Sequence, residues 1–428
     1  MLFKNKPAIY FFHDGSLAYG RSRHSRRRSS WQLHVHQRRF ARCCYFQHSL
    51  LALRFFENLD ERFCSAGYGA PRPQTALRRI LRGVLAAFGI GLLLVILQEP
   101  IWRTALLLFN PDTATEPMLE RYYRLLIWIM PLTLVFQTAQ GWFAGTLHVR
   151  IAVLTALASN VINLVLDVLF VVVLNFEVTG VAAATCIANV TGFLAILYFY
   201  WQHKPLPLTA VPLKEIFSGP TCRQMLQCGS HLTVRMFCMI IMVNSFMHQS
   251  SAFGGELLAA NSILFQIQFI MGDILTGLSQ AGAIYSGIAF GEHNKPMLND
   301  TLRISFIWAI GFGLAQSVGY YLCRHAILGC FTDLPNVINT AQEYDLFIAF
   351  FPFISALGIV YYGVFNGALY TKPICISMLM TVSCYLTAYF TLIPLYGNIG
   401  LWLAFLVFYI ARSGFLLLFV PKLQQRFA

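Results

Sequence analysis

Ile151 to Leu174 reads IAVLTALASNVINLVLDVLFVVVL, twenty-four residues with a single charged side chain. At about 1.5 Å of rise per residue, a helix of that length crosses a hydrocarbon core of about 30 Å. Its polar residues are not scattered. Thr155, Ser159, Asn163 and Asp167 recur at every fourth position, which sets them on one slowly winding face, with Leu, Val and Ile on the others. Asp167 lies past the middle of the span, where a carboxylate costs about 2.5–3.5 kcal/mol to insert. A residue that costly faces a bundle interior or a wet cavity and marks an ion or proton path.

The next span supplies partners. Asn175–Gly180 is a short turn and Val181–Trp201 runs back, so Asp167 and Thr185 fall at roughly 15 and 12 Å from the turn, near one depth. Asn163, Asp167 and Thr185 offer amide, carboxylate and hydroxyl oxygens for a proton or Na⁺. The alternative is helix-to-helix glue, worth roughly 0.6–2 kcal/mol per bond.

Composition fixes the class. The chain is 57% apolar and 11% charged, with a mean hydropathy of +0.60, as a polytopic membrane protein requires. Its eleven cysteines form neither a C-x-x-C pair nor a Cys/His cluster, so no disulfide framework or metal site is indicated. The net charge of +13 is concentrated at one end. Residues 1–66 hold 12 of the 31 Lys and Arg and no apolar run of membrane-spanning length. A basic nucleic-acid-binding arm is the weaker explanation of that segment.

Ten apolar spans follow: Gly83–Leu97, Tyr123–Leu147, Ile151–Leu174, Val181–Trp201, Met225–Met247, Leu257–Phe290, Leu302–Cys323, Tyr344–Leu369, Pro373–Leu395 and Ile399–Val420. The linker 203–224 separates the first four, in 67–202, from the last six, in 225–428. The expected fold is therefore all-α. With the region before Gly83 inside, 13 Lys and Arg fall in cytoplasmic loops against four outside, which places the C-terminus in the cytoplasm.

The two halves repeat at a nearly constant offset. Tyr68-Gly69 matches Phe290-Gly291, Met130-Pro131 matches Phe351-Pro352, Gly145-Thr146-Leu147 matches Gly367-Ala368-Leu369, and Gly180 matches Gly400, at offsets of 220 to 222. Four matches in order indicate a duplicated unit with both copies in one orientation. The second copy opens with two spans whose counterparts should fall near residues 3–68, where the length is present and the hydrophobicity is not. Residues 1–66 therefore read as an aberrant segment, a frameshifted or misannotated translation replacing the first two helices.

These residues carry a resemblance to a known family. Gly69-Ala70-Pro71-Arg72-Pro73-Gln74, NVINLVLDVLFV (160–171), Gly180-Val181-Ala182-Ala183-Ala184-Thr185, Ala260-Asn261, Asp273 and LYGNIGLWLAFLVFYIARSG (395–414) resemble motifs of the multidrug and toxic compound extrusion (MATE) transporters, DinF branch. The resemblance implies two six-helix lobes around a V-shaped cavity, of which the first two helices are not recognisable here. It implies export of cationic or amphiphilic small molecules by alternating access, in exchange for H⁺ or Na⁺, with no other cofactor and no enzymatic step. It carries the coupling role to Asp167, Asn163 and Thr185. The family's further Asp, on its first helix, has no counterpart in an apolar span.

In the second lobe, Asp273 is a candidate coupling or substrate-contact residue with Arg235 as its counter-ion, while Arg412, nearer a helix end, snorkels. Gln137, Gln140 and Gln280 are candidates for the substrate path, and Pro131 and Pro352 for helix bends. The expected protein is a monomer in the bacterial inner membrane, with a small-molecule substrate, the lipid bilayer and no nucleic acid as partners. Two other readings stay open: an exporter of lipid-linked precursors, and a non-transporting remnant of a disrupted gene.

Overall fold

The computed structural model describes residues 8–11, 17–20, 73–109, 116–145, 148–174, 176–203, 220–332 and 334–427. The segment expected to be aberrant, 1–66, lies outside them except for a two-stranded hairpin. Its strands β1 (Ala8–Phe11) and β2 (Leu17–Gly20) pair antiparallel, with Ala8 opposite Gly20 and Phe11 opposite Leu17. Everything else of regular structure among the described residues is helical.

The helices fall into two compact units. The first holds the hairpin and α1 (Pro73–Ile96), α2 (Gln98–Phe109), α3 (Glu116–Gly145), α4 (Val149–Asp167) and α5 (Glu177–His203). The second holds α6 (Pro220–Ala252), α7 (Gly255–Gly291), α8 (Lys295–Phe331), α9 (Pro335–Gly367), α10 (Lys372–Leu417) and the short α11 (Val420–Gln425).

Among the described residues, eight helices are long and apolar enough to cross a membrane. Two details reconcile that figure with ten expected spans. Gly83–Ile96 and Gln98–Thr104, bent by 64° from each other, are together long and apolar enough for one more. The apolar stretch Lys372–Gln425 contains two, because Gly397 leaves helical geometry at φ 56°, ψ −128°. That backbone conformation is open essentially to glycine alone. The long span expected over Leu257–Phe290 is α7, 37 residues without a break, about 55 Å at helical rise.

Packing follows membrane logic. On α4 the buried residues are Ile151, Ala152, Thr155, Ser159, Asn163 and Asp167, while Val153, Leu154, Leu157, Val161 and Val165 are each at least half exposed. Polar side chains point inward and apolar ones outward, as lipid demands. In the second unit, Phe246, Phe265, Phe351, Trp402 and Phe405 form an aromatic core joining α6, α7, α9 and α10. Small residues let α9 close on α7: Gly363 lies against the Ser279 backbone and Gly367 against Ala283.

Candidate functional site

The last turn of α4 carries the candidate site. Asp167 is the final residue in α-helical hydrogen bonding; from Val168 to Val173 the chain widens into a π-helical turn. There Leu174 N–H reaches Leu169 C=O, five residues back rather than four. Single π turns inside helices concentrate at functional positions. Here the wide turn follows directly on the buried acid.

Asp167 is fully buried and Asn163 is 5% exposed. The Asn163 amide joins the two helices. In the orientation that satisfies both of its ends, Nδ2 donates to Asp167 Oδ2 at 3.3 Å and Oδ1 accepts from the Thr185 backbone N–H at 3.1 Å. In the reverse orientation Nδ2 donates to the Thr185 hydroxyl at 3.3 Å. The Thr185 hydroxyl itself donates to Val181 C=O at 3.0 Å. Asn163 thus reaches the Asp167 carboxylate and the Thr185 backbone in the first orientation, and the Thr185 hydroxyl in the second.

Of the rest of the polar stripe, Ser159 glues the two helices and Thr155 does not. Ser159 donates to Ala188 C=O on α5 at 2.9 Å, and Thr155 turns back to Ile151 C=O of its own helix. A buried carboxylate beside an amide and a hydroxyl is a set of hard oxygen donors, suited to a proton or a small cation.

The second-unit candidates are dispersed. Asp273 stands on an exposed face of α7, and so does Gln280. Arg235 is partly buried on α6; its guanidinium carbon sits 3.9 Å from the centre of the Tyr362 ring, and it donates to the Met236 sulfur at 3.5 Å. Arg412 does not snorkel: it is 6% exposed, held inside the unit by the helix that carries it. In the first unit, Gln137 and Gln140 are half-buried on α3, and Gln140 Nε2 is buried without a hydrogen-bond partner. Pro131 and Pro352 are buried inside uninterrupted helices, α3 and α9.

One polar cluster joins two of the motifs that carry the resemblance, though the sequence assigned its members no role. Asn261 on α7 donates to Ser250 at 2.8 Å and to Asn398 Oδ1 at 2.7 Å, and accepts from Trp402 Nε1 at 3.0 Å. It ties α6, α7 and α10 together beside the Gly397 break.

A family model described as MatE matches residues 61–169 and 232–392. The chain belongs to the MATE family of transporters. The first matched stretch includes Asn163 and Asp167, and the second includes Arg235 and Asp273 but stops before Arg412. Among curated relatives, DNA damage-inducible protein F of Escherichia coli K12 is 27% identical over 85% of this chain and 79% of its own length. Multidrug and toxin extrusion protein 1 of Pongo abelii is 24% identical over 65% of this chain and half of its own length. The fold matches an outward-facing multidrug resistance MATE transporter of the MOP superfamily, with a TM-score of 0.80 at 17% identity, covering 91% of this chain and 88% of that one. It also matches the bent form of the Vibrio cholerae MATE transporter VcmN, with a TM-score of 0.76 at 15% identity over 93% and 94% of the two chains. As a MATE protein, the chain is a multi-pass membrane protein of a multidrug efflux family, not an enzyme.

Proposed function

We propose that this MATE protein is a cation-coupled antiporter exporting amphiphilic small molecules by alternating access, with Asp167 as the coupling group and H⁺ or Na⁺ as the coupling ion. The supporting observation is the complete burial of Asp167 among polar partners on a membrane span. A carboxylate there is held only if it does work or is neutralised. Taking up a proton or Na⁺ removes its charge and changes what the Asn163 amide bonds to, so occupancy biases how α4 packs on α5. Substrate biases the same equilibrium the other way, which is the requirement for exchange. The linker 203–224 separates the two lobes of this reading.

The excess of Lys and Arg in alternate loops supports a bacterial inner-membrane protein with its C-terminus in the cytoplasm. The protein works as a monomer. The test is Asp167→Asn in the full chain, reconstituted in proteoliposomes with an imposed H⁺ or Na⁺ gradient. Gradient-driven efflux should vanish while the protein stays folded. Efflux at the unaltered rate in the variant, under both gradients, overturns the coupling role.

A further inference from the structure

Two guanidinium groups of the second unit, Arg412 buried and Arg235 partly buried, make no ion pair among the described residues. Arg235 belongs to α6, and Arg412 to the part of α10 that follows Gly397. The ion pairs formed by arginines among the described residues involve Arg103, Arg124 and Arg324, not these two. Arg235 Nε is buried without a hydrogen-bond partner, and its hydrogen bond to Met236 goes to a thioether, a weak acceptor.

What surrounds the pair is aromatic. Arg235 sits over Tyr362 at 3.9 Å, and Arg412 lies 6.0 Å from the centre of Tyr409. Gly358, which bonds Ser413, and Tyr362, over which Arg235 lies, are one turn apart on α9, so both arginines face one region of that helix. Gln268 Nε2 donates to the Tyr409 hydroxyl at 3.2 Å, which fixes that ring. Ser413, next in the chain to Arg412, accepts from Gly358 N–H at 3.1 Å and donates to Ile354 C=O at 3.0 Å, which pins the turn carrying Arg412 to α9.

Like charges brought together away from water repel strongly, and aromatic faces offset only part of that cost. Each guanidinium presents a planar fork of donors that matches the two oxygens of a carboxylate or the edge of a phosphate. A bound oxyanion would supply the missing countercharge, and the aromatic walls would accept an apolar tail.

We propose that Arg235 and Arg412, each with a tyrosine ring beside it, Tyr362 and Tyr409 respectively, form a binding site for an oxyanion, a carboxylate or phosphate borne by an amphiphile. The site is separate from the coupling group in the other unit and requires no role for Asp167. It deepens the transport reading only in naming the chemistry of what the second lobe holds. The bound group belongs either to a soluble amphiphile or to a lipid headgroup.

The test places the full chain in nanodiscs of neutral phosphatidylcholine and titrates dodecyl phosphate, with dodecyltrimethylammonium as the charge-reversed probe. Binding is read from the thermal midpoint and from tryptophan fluorescence. Dodecyl phosphate should raise the midpoint, and Arg235→Gln and Arg412→Gln should each weaken its affinity about tenfold or more. Arg235→Lys should keep part of that affinity, and neither Gln variant should weaken dodecyltrimethylammonium. Arg235→Gln should unfold no earlier than wild type without ligand, because it removes a repulsion; it carries the test even if Arg412→Gln does not fold. Adding phosphatidylglycerol separates the sources: competition assigns the site to a lipid headgroup, and its absence to a soluble amphiphile. Equal affinity for the two probes, or dodecyl phosphate binding unchanged in Arg235→Gln, overturns the proposal. Since binding is measured without a gradient, failure of the Asp167 coupling role would leave this result untouched.

Discussion

Gly91 on α1 lies so close to Pro131 on α3 that a single added methyl group would overlap the proline's Cα. Gly313 on α8 has the same relation to α9, where a methyl carbon would come within 3.0 Å of the Pro352 carbonyl oxygen. The glycines are 222 residues apart and the prolines 221, so the internal repeat extends to a packing contact. Because the obstacle is backbone in a buried helix, it cannot swing aside. Gly91→Ala should therefore lower stability by about 1–3 kcal/mol, the usual cost of overpacking. Gly313→Ala should cost less, having a few tenths of an ångström to recover. Gly89→Ala, with nothing within 4 Å, should be neutral or slightly stabilising. Thermal midpoints in detergent rank the three.

The bonds around Asp167 make a second prediction. Thr185→Val keeps the shape of the side chain and removes a hydroxyl that bonds Val181 C=O within its own helix, leaving the Asn163 bond to the Thr185 backbone N–H intact, so it should cost about 0.5 kcal/mol or less. Asn163→Leu should cost more, about 1–3 kcal/mol, because it takes a donor from a buried carboxylate. In Asp167→Asn that excess should shrink, since the group that loses the Asn163 donor is then neutral. A double-mutant cycle of unfolding free energies checks the coupling. Strict additivity would mean that the amide and the carboxyl do not interact.

How much of this was legible before the structure depended on whether the signal was local. The every-fourth-residue stripe of α4 could be read because helical period turns sequence spacing directly into a face, and the buried set is that stripe plus Ile151 and Ala152. That Asn163 and Thr185 stand at one depth on neighbouring helices could be read because a short turn fixes the depth of both, and the structure brings the Asn163 amide to Thr185. The π turn could not, since the apolar run VLFVVV looks the same in either helical form. The Asn261–Asn398 bond joins residues 137 positions apart, a distance over which no periodicity operates. Arg412 was misjudged for a related reason. Its place near a helix end suggested an exit to water, but Ser413 and α9 hold that turn inward. The repeat also marks an asymmetry: at an offset of 222, Asn163 and Asp167 correspond to Tyr385 and Tyr389, which bond Ser245 and Gln249. The second unit thus holds phenols where the first holds the acid.

The Asn261 cluster gives a third prediction. Asn261→Leu would leave Asn398, Ser250 and the Trp402 indole N–H without their shared partner in a buried setting. Each orphaned group carries a desolvation cost of about 1–3 kcal/mol. The variant should unfold several degrees earlier, whereas Ser250→Ala, which removes one bond at the edge of the cluster, should cost about 1 kcal/mol. The double variant Asn261→Leu/Asn398→Leu should recover part of the loss, because it removes the orphan with the partner. Unfolding of the three in one detergent decides it; a double variant less stable than Asn261→Leu would show that the cluster is held by packing instead.

Asp345 and Arg324 give the last. Asp345 on α9 has a side chain 2% exposed, and the Arg324 Nε on α8 is 3.6 Å from its Oδ2 with the arginine 26% exposed. The arginine also rests over the Tyr321 ring at 4.6 Å. The two ends of this pair are therefore not equivalent. Removing the arginine strands a carboxylate in a buried site, which costs about 3–5 kcal/mol in fully buried pairs and should fall at the low end here because water reaches the guanidinium side. Removing the acid strands a cation that can turn outward to solvent, so Asp345→Asn should cost clearly less than Arg324→Ala. Raising the salt concentration should narrow the difference little, since the acid is screened from ions by the helices around it. Denaturation of both variants at low and high ionic strength measures the asymmetry, and equal losses would mean that the pair behaves as an exposed one.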